Sequence, residues 1–231
     1  TLRTEELSEL GARFQRLYES GLLERARNPD EIASNIKALT GPVRGKLLAR
    51  QRLLAAGEYA MPQLLKAFLD NSNLTLQAEV GRLLVDMGRQ AILPLCTALP
   101  QLDATQQEQV ASILGLIPYK TSLPFLADLA MSTSVDPVRA ACLRSIDRLG
   151  GTTGDPASLY TELAESYYNQ RPEVTSFAGE DHQLLWSFNP GAGLLMTAIR
   201  TPVFHEAMAM KLTERSLTLR GENADALALW V

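Results

Sequence analysis

The sequence holds two histidines and two cysteines in 231 positions, which narrows its chemistry at once. Two cysteines exclude a disulfide-rich scaffold. Cys96 and Cys142 both fall on apolar helical faces and read as core residues. His205-Glu206-Ala207-Met208-Ala209 begins like the helical zinc-protease motif, but Ala209 stands where the second imidazole must be. That stretch reads instead as polar residues at a helix N-terminus. His182 follows Glu180 and Asp181 and reads as part of a solvated loop. Long apolar runs are missing too: none approaches the roughly 18 residues that a membrane span needs. Charge of one sign is not in excess, with a net charge of -4, so there is no electrostatic reason to expect a polyanion. Gly191-Ala192-Gly193 lacks the third glycine and the strand-helix unit of a dinucleotide loop and reads as a hairpin turn. No Ser or Cys sits in a nucleophile-elbow phrase. We therefore expect no cofactor, no metal and no catalytic residue.

What the sequence does have is a repeat. Ala60-Met61-Pro62-Gln63-Leu64-Leu65, Ile92-Leu93-Pro94-Leu95 and Ser122-Leu123-Pro124-Phe125-Leu126 echo one another, with prolines 32 and 30 residues apart. Each phrase is followed by a short polar gap and a second apolar-periodic helix. These second helices are expected to end at Gly57, Gly88, Pro118 and Gly150, about 31 residues apart. A fixed period of this size is the signature of a solenoid. Aligning the second helices gives three core columns: Ala49, Val80, Val110 and Cys142; Leu53, Leu84, Leu114 and Ile146; Ala56, Met87, Ile117 and Leu149. Ahead of them, residues 4–20 carry Leu7, Leu10, Phe14, Leu17 and Tyr18 at helical spacing, with Thr4 as N-cap and Gly21 as stop. Asn28-Pro29-Asp30 opens a helix with Ile32, Ile36 and Leu39 on one face, ending at Gly41. This pair reads as a cap on the open end of the stack.

The stretch Asp136-Pro137-Val138-Arg139-Ala140-Ala141-Cys142-Leu143 resembles the second helix of a HEAT repeat of the phycobilisome-lyase type. The resemblance covers residues 43–150, about half the chain. Only the last repeat carries the full Asp-x-Val-Arg phrase. The others have Leu76-Gln77, Gln106-Gln107 and Gly45-Lys46 there. The resemblance implies a stacking geometry and no lyase activity.

After Gly150-Gly151 the register changes. Tyr160-x-x-Leu163-Ala164-x-x-Tyr167 resembles the first helix of a tetratricopeptide repeat. Arg171-Pro172 then breaks the chain. Leu184–Phe188 and Leu194–Ile199 flank turn residues and predict a β-hairpin, an insertion that packs on the C-terminal helices. Strand alternation puts Trp186 and Phe188 on one face, which should dock. Pro202 opens a helix through Leu217, whose Ala209, Ser216 and Leu217 suit a tetratricopeptide second helix, and another helix begins at Asn223. The expected fold is all-α: a right-handed α-solenoid of HEAT-like helix pairs with one inserted hairpin. It divides into a cap (1–42), repeats (43–151) and a tetratricopeptide-like region (152–231) with the hairpin at about 184–199.

Such a scaffold offers a curved surface to a protein or peptide partner. One polar column of the inner helices reads Gln51, Arg82, Ser112 and Arg144. With Trp186 as an anchor, should its face be exposed, these are the candidate partner-binding residues. Nucleic acid is disfavoured. Only half of that column is basic, and the inner helix from Asp103 to Ile117 has no Lys or Arg, whereas counterion release needs a continuous cationic path. A protein-interaction scaffold or adaptor is the expected function, with a non-catalytic part of a larger enzyme or maturation factor as the alternative. The chain opens on Thr1 and stops within an apolar helical pattern at Trp230-Val231, so an excised piece of a longer, cytoplasmic protein is expected.

Overall fold

A computed structural model of the chain describes residues 10, 11, 13, 14, 21, 24–152, 154–177 and 179–230. The expected first helix, over residues 4–20, lies mostly outside these. Within it Leu10 and Phe14 are helical and exposed, and Gly21, expected as its stop, is itself helical. The described residues are mostly helical with one small antiparallel sheet. Two compact units divide within one helix, at Leu83 and Leu84.

The first unit contains α1 (Pro29–Ala38), α2 (Val43–Ala56) and α3 (Met61–Leu69), and α4 (Leu74–Met87) carries the division. Asn28 starts α1: its Oδ1 accepts from the backbone N–H of Asp30 at 2.9 Å, and Pro29 fills the first turn. Ile32, Ile36 and Leu39 are buried, as their spacing predicts, and α1 packs on α2 and α3. At the end of α2 the chain turns through Gly57, whose φ of 58° favours glycine. A 3-10 turn, Gly57–Ala60, then delivers Met61 and Pro62 to the start of α3.

The second unit contains α5 (Arg89–Ala98), α6 (Ala104–Leu114), α7 (Leu123–Ser132), α8 (Asp136–Arg148), α9 (Pro156–Tyr168), β1 (His182–Asn189), β2 (Gly193–Arg200), α10 (Thr201–Leu219) and α11 (Ala224–Trp230). All the residues of the three columns are buried except Leu149, which is half-buried. Pro94 lies inside α5, because the stretch that forms a 3-10 turn before α3 is here already α-helical. The missing N–H leaves the Gln90 carbonyl without its usual donor. Burial of Ala91, Ile92, Leu95 and Cys96, on several sides of the helix, offsets that cost. The third inner helix ends at Leu114, three residues before Ile117. Gly115 follows it, and a Cβ there would lie 2.7 Å from the Ser145 Cα, so α6 and α8 touch at this point.

A repeated hydrogen bond ties the helix pairs. Gln77 Nε2 donates to the Phe68 carbonyl (2.8 Å), Gln107 Nε2 to the Leu99 carbonyl (3.3 Å) and Arg139 Nη2 to the Thr133 carbonyl (2.6 Å). Each side chain reaches a carbonyl at or just past the C-terminal end of the preceding helix, where intrahelical donors run out. The fourth member of that column, Lys46, pairs with Glu79 instead.

In the C-terminal part Tyr160, Leu163, Ala164 and Tyr167 are all buried, and α9 packs most extensively on α10. The buried hydroxyls of Thr161 and Ser216 lie 2.9 Å apart, and Asn223 Nδ2 donates to both. Helix α9 ends at Tyr168, and two residues on Gln170, with a φ of 50°, and the closing bond from Arg171 N–H to the Ser166 carbonyl form a left-handed cap. The hairpin forms as predicted, with Trp186 opposite Met196 and Asn189 opposite Gly193. Asn189 Oδ1 accepts from Gly191 N–H (2.8 Å), and Gly193 takes a φ of 80° to complete the turn. The hairpin packs on α10, as expected, and also on α5.

Candidate binding cleft

Of the column Gln51, Arg82, Ser112 and Arg144, the first two lie in the first unit and the last two in the second. Gln51 and Arg144 are exposed on α2 and α8. Arg82 donates to Glu79 Oε1 at 2.7 Å, and Lys46 pairs with the same oxygen. These cations, Lys46 foremost, hold the Glu79 carboxyl below the usual range. The Ser112 hydroxyl turns back onto the Glu108 carbonyl at 2.8 Å. Trp186 is 3 % exposed and cannot serve as a surface anchor. Leu184 shares its face and is buried, Phe188 is half-buried, and Ser187 on the other face is exposed, so the aromatic face docks. In a Trp230→Phe background, which leaves Trp186 the only reporter, we expect blue-shifted emission that iodide barely quenches. Red-shifted, readily quenched emission would contradict this burial.

The histidines form no site either. His205 is not a polar N-terminal residue but is buried, its ring 6.0 Å from that of Phe204 and 6.1 Å from that of Tyr167. Burial pulls its imidazole below the ordinary range. His182 is exposed at the start of β1. Among the described residues no three His, Cys, Asp or Glu side chains group to hold a metal. Cys96 and Cys142 are buried and unpaired, and burial pushes the Cys142 thiol up to about 11.

A cleft that, of all these residues, only Cys96 lines lies in the second unit, where α5, α7, α9 and α10 meet. Its volume is about 420 Å³, within the range of ligand sites. Helix α10 supplies Met208, Lys211, Leu212 and Arg215 at spacings of three and four, a single stripe in which two cations interleave with two apolar side chains. Helix α7 supplies Phe125 and Asp128, one turn apart, and α9 supplies Tyr160. Leu93, Cys96 and Thr97 come from α5, and Gln101 from the 3-10 turn that follows.

The polar centre of the cleft is closed on itself. Arg215 Nε and Nη2 donate to Asp128 Oδ2 and Oδ1, both at 2.8 Å, the bidentate geometry that suits a guanidinium and a carboxylate. The Tyr160 hydroxyl donates to Oδ2 at 3.2 Å. Burial first, and the neighbouring Asp128 charge second, push the Tyr160 phenol far above its ordinary range, so it stays protonated. Phe125 meets the Tyr160 ring edge-on at 5.3 Å and fixes it. The hydrogen bond to Asp128 raises the Arg215 pKa further. Lys211 is exposed as a side chain, yet its ammonium sits among protein atoms and donates to the Trp186 carbonyl at 3.4 Å. Desolvation there lowers its pKa.

Sequence reasoning misses Asp128, although a single carboxylate inside Leu126-Ala127-Asp128-Leu129-Ala130 is a signal, since it must find a partner if the helix is buried. Nothing in the sequence singles out Arg215 as that partner. No protein-family model matches the chain, and no curated protein and no solved structure matches it either. No helix among the described residues is long and apolar enough to cross a membrane.

Proposed function

We propose that the chain is a non-catalytic protein-interaction module whose cleft in the second unit receives a segment of a partner protein. One observation carries this reading. Both Asp128 oxygens are taken by Arg215, and Tyr160 adds a third bond, so the central carboxylate is already engaged and the cleft offers apolar walls beside spare donors. Mixed walls of this kind suit a segment with apolar and polar side chains. The sequence resemblance to HEAT repeats and to a tetratricopeptide first helix supports the same reading, since those scaffolds bind proteins. Pairing of Lys46 and Arg82 with Glu79 weighs against a nucleic-acid partner, because those charges are already partly neutralised.

The test is a random-peptide display selection against the chain, followed by titration of the enriched peptides. Thr97→Trp, at a half-buried cleft position, fills the space the peptide would use. We expect affinity to fall at least about tenfold in this variant. Enriched peptides that bind Thr97→Trp as well as the parent chain would overturn the assignment to this cleft.

A further inference from the structure

The cleft holds two cations of different standing. Arg215 is neutralised by Asp128 through two bonds. Lys211 has no carboxylate within 4 Å among the described residues, and its one hydrogen bond is the long one to the Trp186 carbonyl. An ammonium whose one acceptor is a neutral carbonyl at 3.4 Å keeps unused donor capacity for an anion. Glu214 lines the same cleft three residues on but is exposed and forms no ion pair with Lys211. Spare donors line the same cleft. Arg215 spends only Nε and Nη2 on Asp128, leaving Nη1 without a described partner, and the side chains of Thr97 and Gln101 make no hydrogen bond to any described residue. Beneath them lie Leu93, Phe125, Met208 and Leu212. Donors and apolar floor share one cavity of about 420 Å³, which has room for one or two residues of a bound chain. Its occupant must therefore bring an anion and an apolar group close together.

We propose that the cleft selects an acidic–apolar segment of a partner protein, with one apolar side chain on the Leu93, Phe125, Met208 and Leu212 floor and the carboxylate of an adjacent Asp or Glu at Lys211. This rests on the reading of the cleft as the partner-segment site. The carboxylate supplies the charge-assisted bonds that Lys211 lacks, and Thr97, Gln101 and Arg215 line the same cavity as further donors. The apolar floor supplies affinity that a bare anion would not have.

The experiment uses the full chain, isotope-labelled for amide chemical-shift titration, and four probes: Ac-Ala-Leu-Glu-Ala-NH2, its Gln isostere Ac-Ala-Leu-Gln-Ala-NH2, its truncation Ac-Ala-Ala-Glu-Ala-NH2, and octanoate. The Leu-Glu probe is expected to shift amides of α5 and α10 saturably, and the Gln and Ala-Glu probes to bind about tenfold more weakly. Lys211→Met, which keeps the apolar stem, is expected to remove the preference for Glu over Gln, and Lys211→Arg to retain it. Equal binding of the Glu and Gln probes at the cleft would overturn the carboxylate assignment while leaving a partner segment in the cleft. Failure of both to move cleft amides would overturn that reading as well. Saturation by octanoate without either peptide would overturn the proposal and assign the cleft to a small molecule.

Discussion

Leu114→Ala is expected to lower the stability of the second unit by about 3–4 kcal/mol. Leu114 ends α6, is 0 % exposed, and belongs to the same sequence column as Ile146 on α8. Truncation removes the transfer free energy of the lost carbons and adds a cavity term that depends on how far the surroundings can collapse. Here they cannot close the gap by drawing the helices together. Gly115 already brings the α6 end against the Ser145 backbone, and the Ser145 hydroxyl donates to the Ala111 carbonyl at 2.8 Å. These contacts fix the α6–α8 distance, so most of the cavity persists. Urea melts followed by tryptophan emission report on this unit, because Trp186 and Trp230 both lie in it. The midpoint should fall while the slope with denaturant stays unchanged, since the surface exposed on unfolding is nearly the same. A loss under about 0.5 kcal/mol would show that Leu114 does not fill a packed core and that the column alignment is out of register.

How much of this was legible depends on which residues carry the information. The columns were readable because each inner helix repeats its apolar residues at intervals of three and four, and burial follows that period whatever the neighbours are. Gly57, Gly88 and Gly150 marked helix ends because each turns with φ near +60°. The three proline phrases, alike in sequence, differ in structure: Pro62 and Pro124 sit in a first turn, whereas Pro94 lies inside its helix because α5 begins directly after Gly88. The column Lys46, Gln77, Gln107 and Arg139 was visible as a departure from one repeat phrase. Its role in satisfying the preceding helix end appears only when the turn brings carbonyl and side chain together. The cleft was the least legible part. Asp128, Tyr160 and Arg215 are separated by 32 and 55 residues, and no local pattern pairs them. The polar column chosen from the inner helices contains none of these three residues, because a position shared between sequence repeats says nothing of where the C-terminal helices pack.

Asp128→Ala carries the second large effect, a destabilisation of about 2–3 kcal/mol. Asp128 is buried and accepts three bonds, two from Arg215 and one from Tyr160. Its removal leaves the Tyr160 hydroxyl, itself buried, without an acceptor, at the desolvation cost of an unpaired polar group. It also strands the Arg215 charge. In a fully buried pair that stranding costs about 3–5 kcal/mol. The Arg215 side chain is 43 % exposed, so water recovers part of the loss and the lower figure applies. A double-mutant cycle with Arg215→Ala separates the two contributions. The Arg215→Ala single variant should cost less than Asp128→Ala, because it keeps the Tyr160 bond, and the coupling between the two should be about 1–2 kcal/mol. A coupling below about 0.3 kcal/mol would mean that the pair behaves as an ordinary surface ion pair. The pair joins α7 to α10, so a weak coupling would also remove the reason for treating the polar centre of the cleft as preorganised: with Asp128 free of Arg215, the cleft would present a carboxylate of its own against the anion proposed for Lys211.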